Sequence, residues 1–205
     1  ALFGVLKGVT GSIELGGKQF HPSSPADCKS NDTSVALVPE DRKTEGLMLQ
    51  LSIADNMLAP NFKKVSHGPL IDKGLAETAI SDGIAQLQIK VGDPGDKVET
   101  LSGGNQQKVV IAKWLIDNPD VILLNDPTRG IDVGTKQEIY RLMRELAAAG
   151  KAIVLYTTDY DELIGCCDRV SIMYDGKVVS ELEGDRLTEE NIVSASLNIT
   201  DGEAA

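Results

Sequence analysis

Leu101-Ser102-Gly103-Gly104-Asn105-Gln106-Gln107-Lys108 puts a hydroxyl and two glycines directly before a helical run, a combination suited to holding an anion. Ser102 stands where a helix N-cap belongs, and glycines let backbone N–H groups approach a ligand without interference from a Cβ. Val109, Ile111, Ala112, Leu115 and Ile116 follow at helical spacing, so the first N–H groups and the positive end of the helix dipole face whatever the loop holds. Phosphate is the ligand such an end favours. A glycine-rich turn that merely caps a helix has the same local sequence, so the neighbouring segments decide. Downstream, Val121-Ile122-Leu123-Leu124 is a continuous apolar run of the kind a fully buried parallel strand needs. It ends in Asn125-Asp126-Pro127-Thr128-Arg129-Gly130-Ile131-Asp132. Polar groups at the carboxyl end of a buried strand mark a site.

The elements that position these residues follow from the pattern on either side. Over residues 11–38, short strand-like pieces alternate with turns at Gly16-Gly17, at 22–25 and at 29–32,. Residues 52–89 turn helical, and Leu70, Ile71, Leu75, Ala79, Ile80, Ile84 and Leu87 are the apolar positions of a helix expected over 69–89,. A strand at 121–124, a helix at 134–149 closed by Gly150 and a strand at 152–157 then alternate, which predicts an α/β fold with a parallel sheet,. After a short helix near Glu162, strands at 170–174 and 178–182 flank Asp175-Gly176, a strong hairpin signal,. The end, 188–205, reads as a short helix and a polar tail.

The order of loop, apolar strand and Asp132 resembles the ATP-binding cassette family, with its signature motif, Walker B strand and D-loop. Three stretches narrow the resemblance: Val38-Pro39-Glu40-Asp41-Arg42-Lys43-Thr44-Glu45-Gly46-Leu47, Asn105-Gln106-Gln107-Lys108, and Asp126-Pro127-Thr128-Arg129-Gly130-Ile131-Asp132-Val133-Gly134. Together they look like the ATPase subunits of monosaccharide importers of the ribose, galactose and xylose type, which fuse two cassettes in one polypeptide. Residues 39–46 are similar to the C-terminal cassette of that fusion, with Glu40 where most cassettes carry the Q-loop glutamine. The resemblance implies a P-loop NTPase-like α/β domain with a parallel-sheet core, an antiparallel β edge and a helical signature subdomain. The β-rich edge and Q-loop region then fall at 1–50, the helical subdomain at 51–105, the α/β core with Walker B, D-loop and switch loop at 106–185, and the C-terminal helix and tail at 186–205. A Walker A loop, Gly-x-x-x-x-Gly-Lys-Ser/Thr, does not occur in the sequence. Gly17-Lys18-Gln19 and Gly176-Lys177-Val178 lack its hydroxyl and upstream glycine and read as hairpin turns. Because Ala1-Leu2-Phe3-Gly4 resembles the end of the helix after that loop, the sequence is expected to start just downstream of it.

Roles carried over from the family are uneven. Asn125 stands where an aspartate holds Mg²⁺, and a neutral carbonyl is a poorer ligand for a hard cation than a carboxylate. Asp126 stands where a glutamate polarises the attacking water, and it is one methylene, ~1.5 Å, shorter. Thr158 replaces the switch histidine, able to donate a hydrogen bond but not to carry charge. Glu40 is the remaining catalytic and Mg²⁺-proximal position. These departures imply that the cassette's own nucleotide site hydrolyses ATP weakly or not at all, and that the segment by itself is inactive. The signature is intact, so Ser102, Gly103, Gly104 and Gln106 are expected to contact ATP held by a second cassette, with Asp132 reaching across to organise that opposite site. The implied cofactors are ATP and Mg²⁺. The implied partners are that second cassette, transmembrane permease subunits and, indirectly, a periplasmic sugar-binding protein, at the cytoplasmic side of the membrane.

Composition agrees. The chain has 205 residues, 41% of them hydrophobic, enough for one sizeable core,. No apolar run approaches the ~20 residues of a membrane span, and no secretory leader pattern is visible. A net charge of −11 and a pI near 4.6 speak against a nucleic-acid surface,. Cys28, Cys166 and Cys167 are odd in number and lack metal-ligand spacing, reading as reduced thiols,. His21 and His67 have no companion ligands, so no metal site is expected at either. Two other functions share some of these features: a non-catalytic regulatory or interaction module built from a cassette, and a soluble cassette ATPase outside transport that acts on ribosomes or DNA. The acidic balance and Pro39-Glu40-Asp41-Arg42 oppose the second.

Overall fold

Gly16 and Gly17 both lie at positive φ, 57° and 76°, where a Cβ would be strained, and they turn the chain between the paired strands β1 (Glu14–Leu15) and β2 (Lys18–Gln19),. Gly16-Gly17 is therefore the hairpin turn, with Lys18 the first residue of β2. The computed structural model describes residues 1–29 and 34–198, so most of the turn expected at 29–32 lies outside the described residues. It divides into two compact units, Ala1–Tyr156 and Thr157–Ala205. The break falls within the stretch 106–185 that the sequence reading treats as one α/β core.

In the first unit, β3 (Val35–Val38) is followed by a short turn of helix over Arg42–Gly46 and by α1 (Ile53–Leu58), which Ser52 caps. A small hairpin, β4 (Ser66–His67) and β5 (Leu70–Ile71), precedes α2 (Lys73–Gln86). The helix expected over 69–89 is thus shorter, and Leu70 and Ile71 are exposed strand residues, 73% and 50% accessible, instead of core. The reason is local. Gly68 at φ 61° and Pro69 make the hairpin turn, and Asp72 stays extended with its carboxylate accepting from the Leu75 N–H at 3.0 Å, so that the helix starts only at Lys73,.

Next come α3 (Gly103–Leu115), β6 (Val121–Asn125), α4 (Val133–Ala148) and β7 (Ala152–Tyr156). Strands β3, β6 and β7 form a parallel sheet in that order; β6 and β7 are the strands that the alternating pattern predicts, whereas β3 comes from the stretch 1–50 read as the β-rich edge. The central strand β6 is apolar from Val121 to Leu124 because both its faces are covered,. On one face Ile122 and Leu124 meet Val38, Ile111, Ile139 and Met143, joining the sheet to α3 and α4. On the other, Leu123 packs with Phe3, Cys28 and Val35, next to Trp114, whose indole meets the Phe3 ring edge-on at 5.6 Å,. Each of these aliphatic side chains contributes about 1.5–3 kcal/mol by leaving water. The helix α3 is buried continuously from Gln106 to Ala112, held between α1, α2 and β3. Gly150, at φ 86°, ends α4,.

The second unit contains α5 (Tyr160–Cys166), the antiparallel pair β8 (Arg169–Tyr174) and β9 (Lys177–Glu183), and α6 (Glu189–Ser196). Asp175 and Gly176, at φ 46° and 72°, form the hairpin turn read from sequence,. Val170, Ile172, Leu182 and Ile192 make its core. All three cysteines are free thiols, and burial pushes Cys167 up to about 11. No helix among the described residues is long and apolar enough to cross a membrane.

Lys113 on α3 donates through Nζ to the Gly46 carbonyl, and burial pulls its ammonium from 10.5 down to about 8. Below pH 8 folded and unfolded chains both hold the proton, and the folded chain carries the desolvation cost. Between pH 8 and 10.5 only the unfolded chain holds it, so rising pH favours folding,. Lys113→Met should therefore compare better with the parent at pH 7 than at pH 10. The difference in unfolding free energy between the two should move by about 3 kcal/mol across that window, read from denaturant melts at stepped pH. A pH-independent difference would mean the ammonium is solvated in the folded chain.

Candidate functional site

Ser102 is extended (φ −60°, ψ 155°) and caps α3. Its Oγ accepts from the Asn105 backbone N–H at 3.5 Å and from Asn105 Nδ2 at 3.1 Å,. The N–H groups of Gly103 and Gly104 have no hydrogen-bond partner among the described residues, as expected for the first turn of a helix,. Together with the dipole of a 13-residue helix they suit a phosphate,. Neither glycine is replaceable without movement. A Cβ on Gly103 would lie 2.8 Å from Arg42 Nη2, and one on Gly104 would lie 2.5 Å from Thr135 Oγ1. Gln106, expected to contact nucleotide, is turned inward instead: it is 5% exposed and its Nε2 donates to the Val98 carbonyl at 3.3 Å, anchoring the turn that leads into the loop. One helical turn after the cap its position faces the core rather than the open end.

At the end of β6, Asn125 pairs in register with Tyr156 of β7, and the Asp126 N–H donates to the Tyr156 carbonyl at 2.8 Å. Asp126 itself sits at φ 47°, in the left-handed region. A non-glycine residue there stores on the order of 1–3 kcal/mol and persists only when its surroundings over-determine it; here the strand ladder precedes it and the buried Thr128 follows. Asp132 caps α4, accepting from the Thr135 N–H at 3.0 Å and from Thr135 Oγ1 at 2.8 Å. Those bonds hold its carboxyl below the usual range,. Asp132 thus has a role inside the chain, besides any reach across a dimer. Thr158 belongs to the second unit and is exposed, next to the buried Thr157, whose Oγ1 accepts from the Asp159 N–H at 3.1 Å.

Glu40 forms an ion pair with Arg129. Asp41 caps the turn over Arg42–Gly46, accepting from the N–H groups of Lys43 at 2.8 Å and Thr44 at 3.3 Å, which holds its carboxyl below the usual range. Arg42 donates to the carbonyls of Arg129 at 3.0 Å and Gly130 at 3.4 Å. For Mg²⁺ the fit is poor: Asn125 is neutral, Glu40 is already engaged by Arg129, and among the described residues no three His, Cys, Asp or Glu side chains are grouped to hold a metal,. The residues present fit a phosphate at the α3 end and do not by themselves make a cation site. Sequence reasoning missed Arg42, Arg129 and Thr135. Asp132-x-x-Thr135 is a legible cap spacing, whereas no local signal joins Arg42 to the carbonyls it bonds 87 and 88 positions on, or Glu40 to Arg129,.

A parallel sheet with a glycine-gated helix end beside the carboxyl end of its central strand defines a nucleotide-binding cassette. The same fold occurs in a dimeric ATP-binding cassette solved in a post-hydrolysis state bound to ADP and Pi, with a TM-score of 0.71 over 88% of this chain and 76% of that one at 22% identity. The sequence profile of the ABC transporter family matches residues 1–129, and the chain belongs to that family. It is similar to proteins named Ribose import ATP-binding protein RbsA 1. The one from Rhizobium johnstonii is 54% identical over 100% of this chain and 40% of its own length; the one from Mesorhizobium japonicum is 52% identical over 97% and 39%. The chain therefore spans about two-fifths of the curated relatives it matches.

Gly104→Ala should cost about 1–3 kcal/mol of stability, because the new methyl must displace Thr135 from the α4 cap,. Combined with Thr135→Ala the loss should be smaller than the sum of the two single losses, as measured by thermal or denaturant unfolding.

Proposed function

We propose that this chain is one cassette, the C-terminal one, of a two-cassette ATPase that powers import of a monosaccharide of the ribose type. It binds ATP, completes the partner cassette's ATP site with Ser102, Gly103 and Gly104, and hydrolyses poorly at its own. The observation that carries the reading is a contrast. The α3 end is built for phosphate, with its cap formed and its first N–H groups unpaired among the described residues, while the end of β6 offers Asn125 and a strained Asp126. Ribose enters through the names of relatives at 54% and 52% identity.

In this mechanism the partner cassette's phosphate loop supplies most of the grip on its ATP, together with Mg²⁺ and a general base. Gly103 and Gly104 bring backbone N–H groups to the γ-phosphate as the two cassettes close, and Asp132 keeps the start of α4 in place beside them,. Closure acts on permease subunits that receive sugar from a periplasmic binding protein, with the ATPase peripheral on the cytoplasmic face of the membrane. Glu40 and Asp126 belong to this cassette's own weaker site, and Thr158 is the switch position that the family resemblance implies.

Steady-state ATP hydrolysis by the full-length protein with its permease tests this. Ser102→Ala should lower kcat by about 10-fold or more, and Asp126→Asn by less than about 2-fold. An enzyme abolished by Asp126→Asn would show that this cassette's own site carries turnover.

A further inference from the structure

Arg42 lies where three segments meet. Its Nη1 and Nη2 donate to the carbonyls of Arg129 and Gly130, and Nη2 occupies the space that a side chain on Gly103 would need. Its Nε is buried without a hydrogen-bond partner. A surface arginine free to move would satisfy that donor with water, so the fit of the whole guanidinium outweighs the loss of one bond. Glu40, two residues before it, pairs with the Arg129 side chain. The segment after β3 thus holds Arg129 twice, once by charge and once by its backbone carbonyl. On the opposite side Gly104 rests on Thr135, which is bonded to Asp132. The segments 39–46, 126–135 and 102–104 therefore interlock through the Arg42 and Thr135 side chains, which occupy the space that a side chain on Gly103 or Gly104 would need.

We propose that Arg42 is a positioning residue that sets the signature loop: it fixes the carbonyls of Arg129 and Gly130, closes the space over Gly103, and so determines where the Gly103 and Gly104 N–H groups meet the partner's nucleotide. Displacing residues 39–46 withdraws the guanidinium from both carbonyls at once, so the state of that segment is passed directly to the loop that contacts ATP. Arginine is required because its planar fork bonds two carbonyls simultaneously, whereas lysine offers a point donor. Glu40 balances Arg129, without which two guanidinium groups would share one turn. The inference rests on the signature-donor reading above.

The test is ATP hydrolysis by the full-length two-cassette protein with its permease, comparing Arg42→Met, Arg42→Lys, Ser102→Ala and the double variant Arg42→Met/Ser102→Ala. Arg42→Met should lower kcat by about 10- to 100-fold while the KM for ATP changes by less than about 3-fold, since the partner's loop supplies most of the binding. Arg42→Lys should fall between it and the parent. In the double variant the second substitution should add less than about 2-fold to the loss from Ser102→Ala, because Arg42 acts through that loop. Parental kcat in Arg42→Met, or losses that multiply in the double variant, overturns the proposal. Should Arg42→Met fail to fold, Arg42→Lys decides alone: a kcat lowered by about 3-fold or more at unchanged KM supports the proposal, and parental kcat overturns it. Ser102→Ala separates the two levels. If it keeps parental kcat, the signature-donor reading fails and takes the Arg42 proposal with it, whereas an enzyme sensitive to Ser102→Ala but indifferent to Arg42→Met rejects Arg42 alone.

Discussion

The burial of α3 on every side is the constraint from which the rest of the molecule follows. A helix with seven consecutive buried residues, Gln106 to Ala112, has no freedom to rotate or slide, because any shift would drive Gln107 or Lys108 into apolar contacts or pull Val109 and Val110 into water,. Lys108 is tolerated there because Glu138 on α4 meets it at 2.5 Å and its Nζ also donates to the Gln88 carbonyl at 3.4 Å,. With α3 pinned, its N-terminus is pinned as well. A phosphate-binding helix end is useful only at a defined place, and packing against α1, α2 and β3 supplies that definition.

Around this fixed end, glycine acts chiefly by being small. Gly104 lets α4 begin directly against α3, with Thr135 in the space of the missing side chain, and Gly103 admits the Arg42 guanidinium. The signature motif therefore has two physical roles at one pair of residues: unpaired N–H groups toward a ligand, and close approach toward the rest of the chain. Asp132 and Ser102 cap the two helices that meet there, each accepting from an N–H of its helix's first turn, and the Asp132 carboxylate also offsets the positive end of α4,.

The end of β6 shows the opposite economy. Asn125 and Asp126 complete the ladder to β7, and the left-handed conformation of Asp126 turns the chain sharply into the buried Thr128. Strain of this kind is common at sites that perform chemistry, yet the donor set around it is weak for a divalent cation. Geometry suited to a catalytic strand end coexists here with side chains less suited to the task, and Glu40, the other candidate carboxylate, is committed to Arg129.

The sequence by itself determined whatever depends on short spans. Apolar runs specified the parallel strands β6 and β7, Gly16-Gly17 and Asp175-Gly176 specified their hairpins through positive φ, and Ser102 specified the start of α3. Local reading failed where two signals competed within a few residues: the helical spacing from Leu70 onward yielded to the Gly68-Pro69 turn and the Asp72 cap. Tertiary structure alone decided that Gln106 faces the core, that Asp126 is left-handed, and that Glu40 and Arg42 grip the turn at Arg129 and Gly130. The physical reason is range. Turn chemistry and periodicity are set by neighbours along the chain, whereas the Glu40–Arg129 ion pair and a guanidinium bridging segments 87 and 88 positions apart exist only once the sheet and α3 have brought them together.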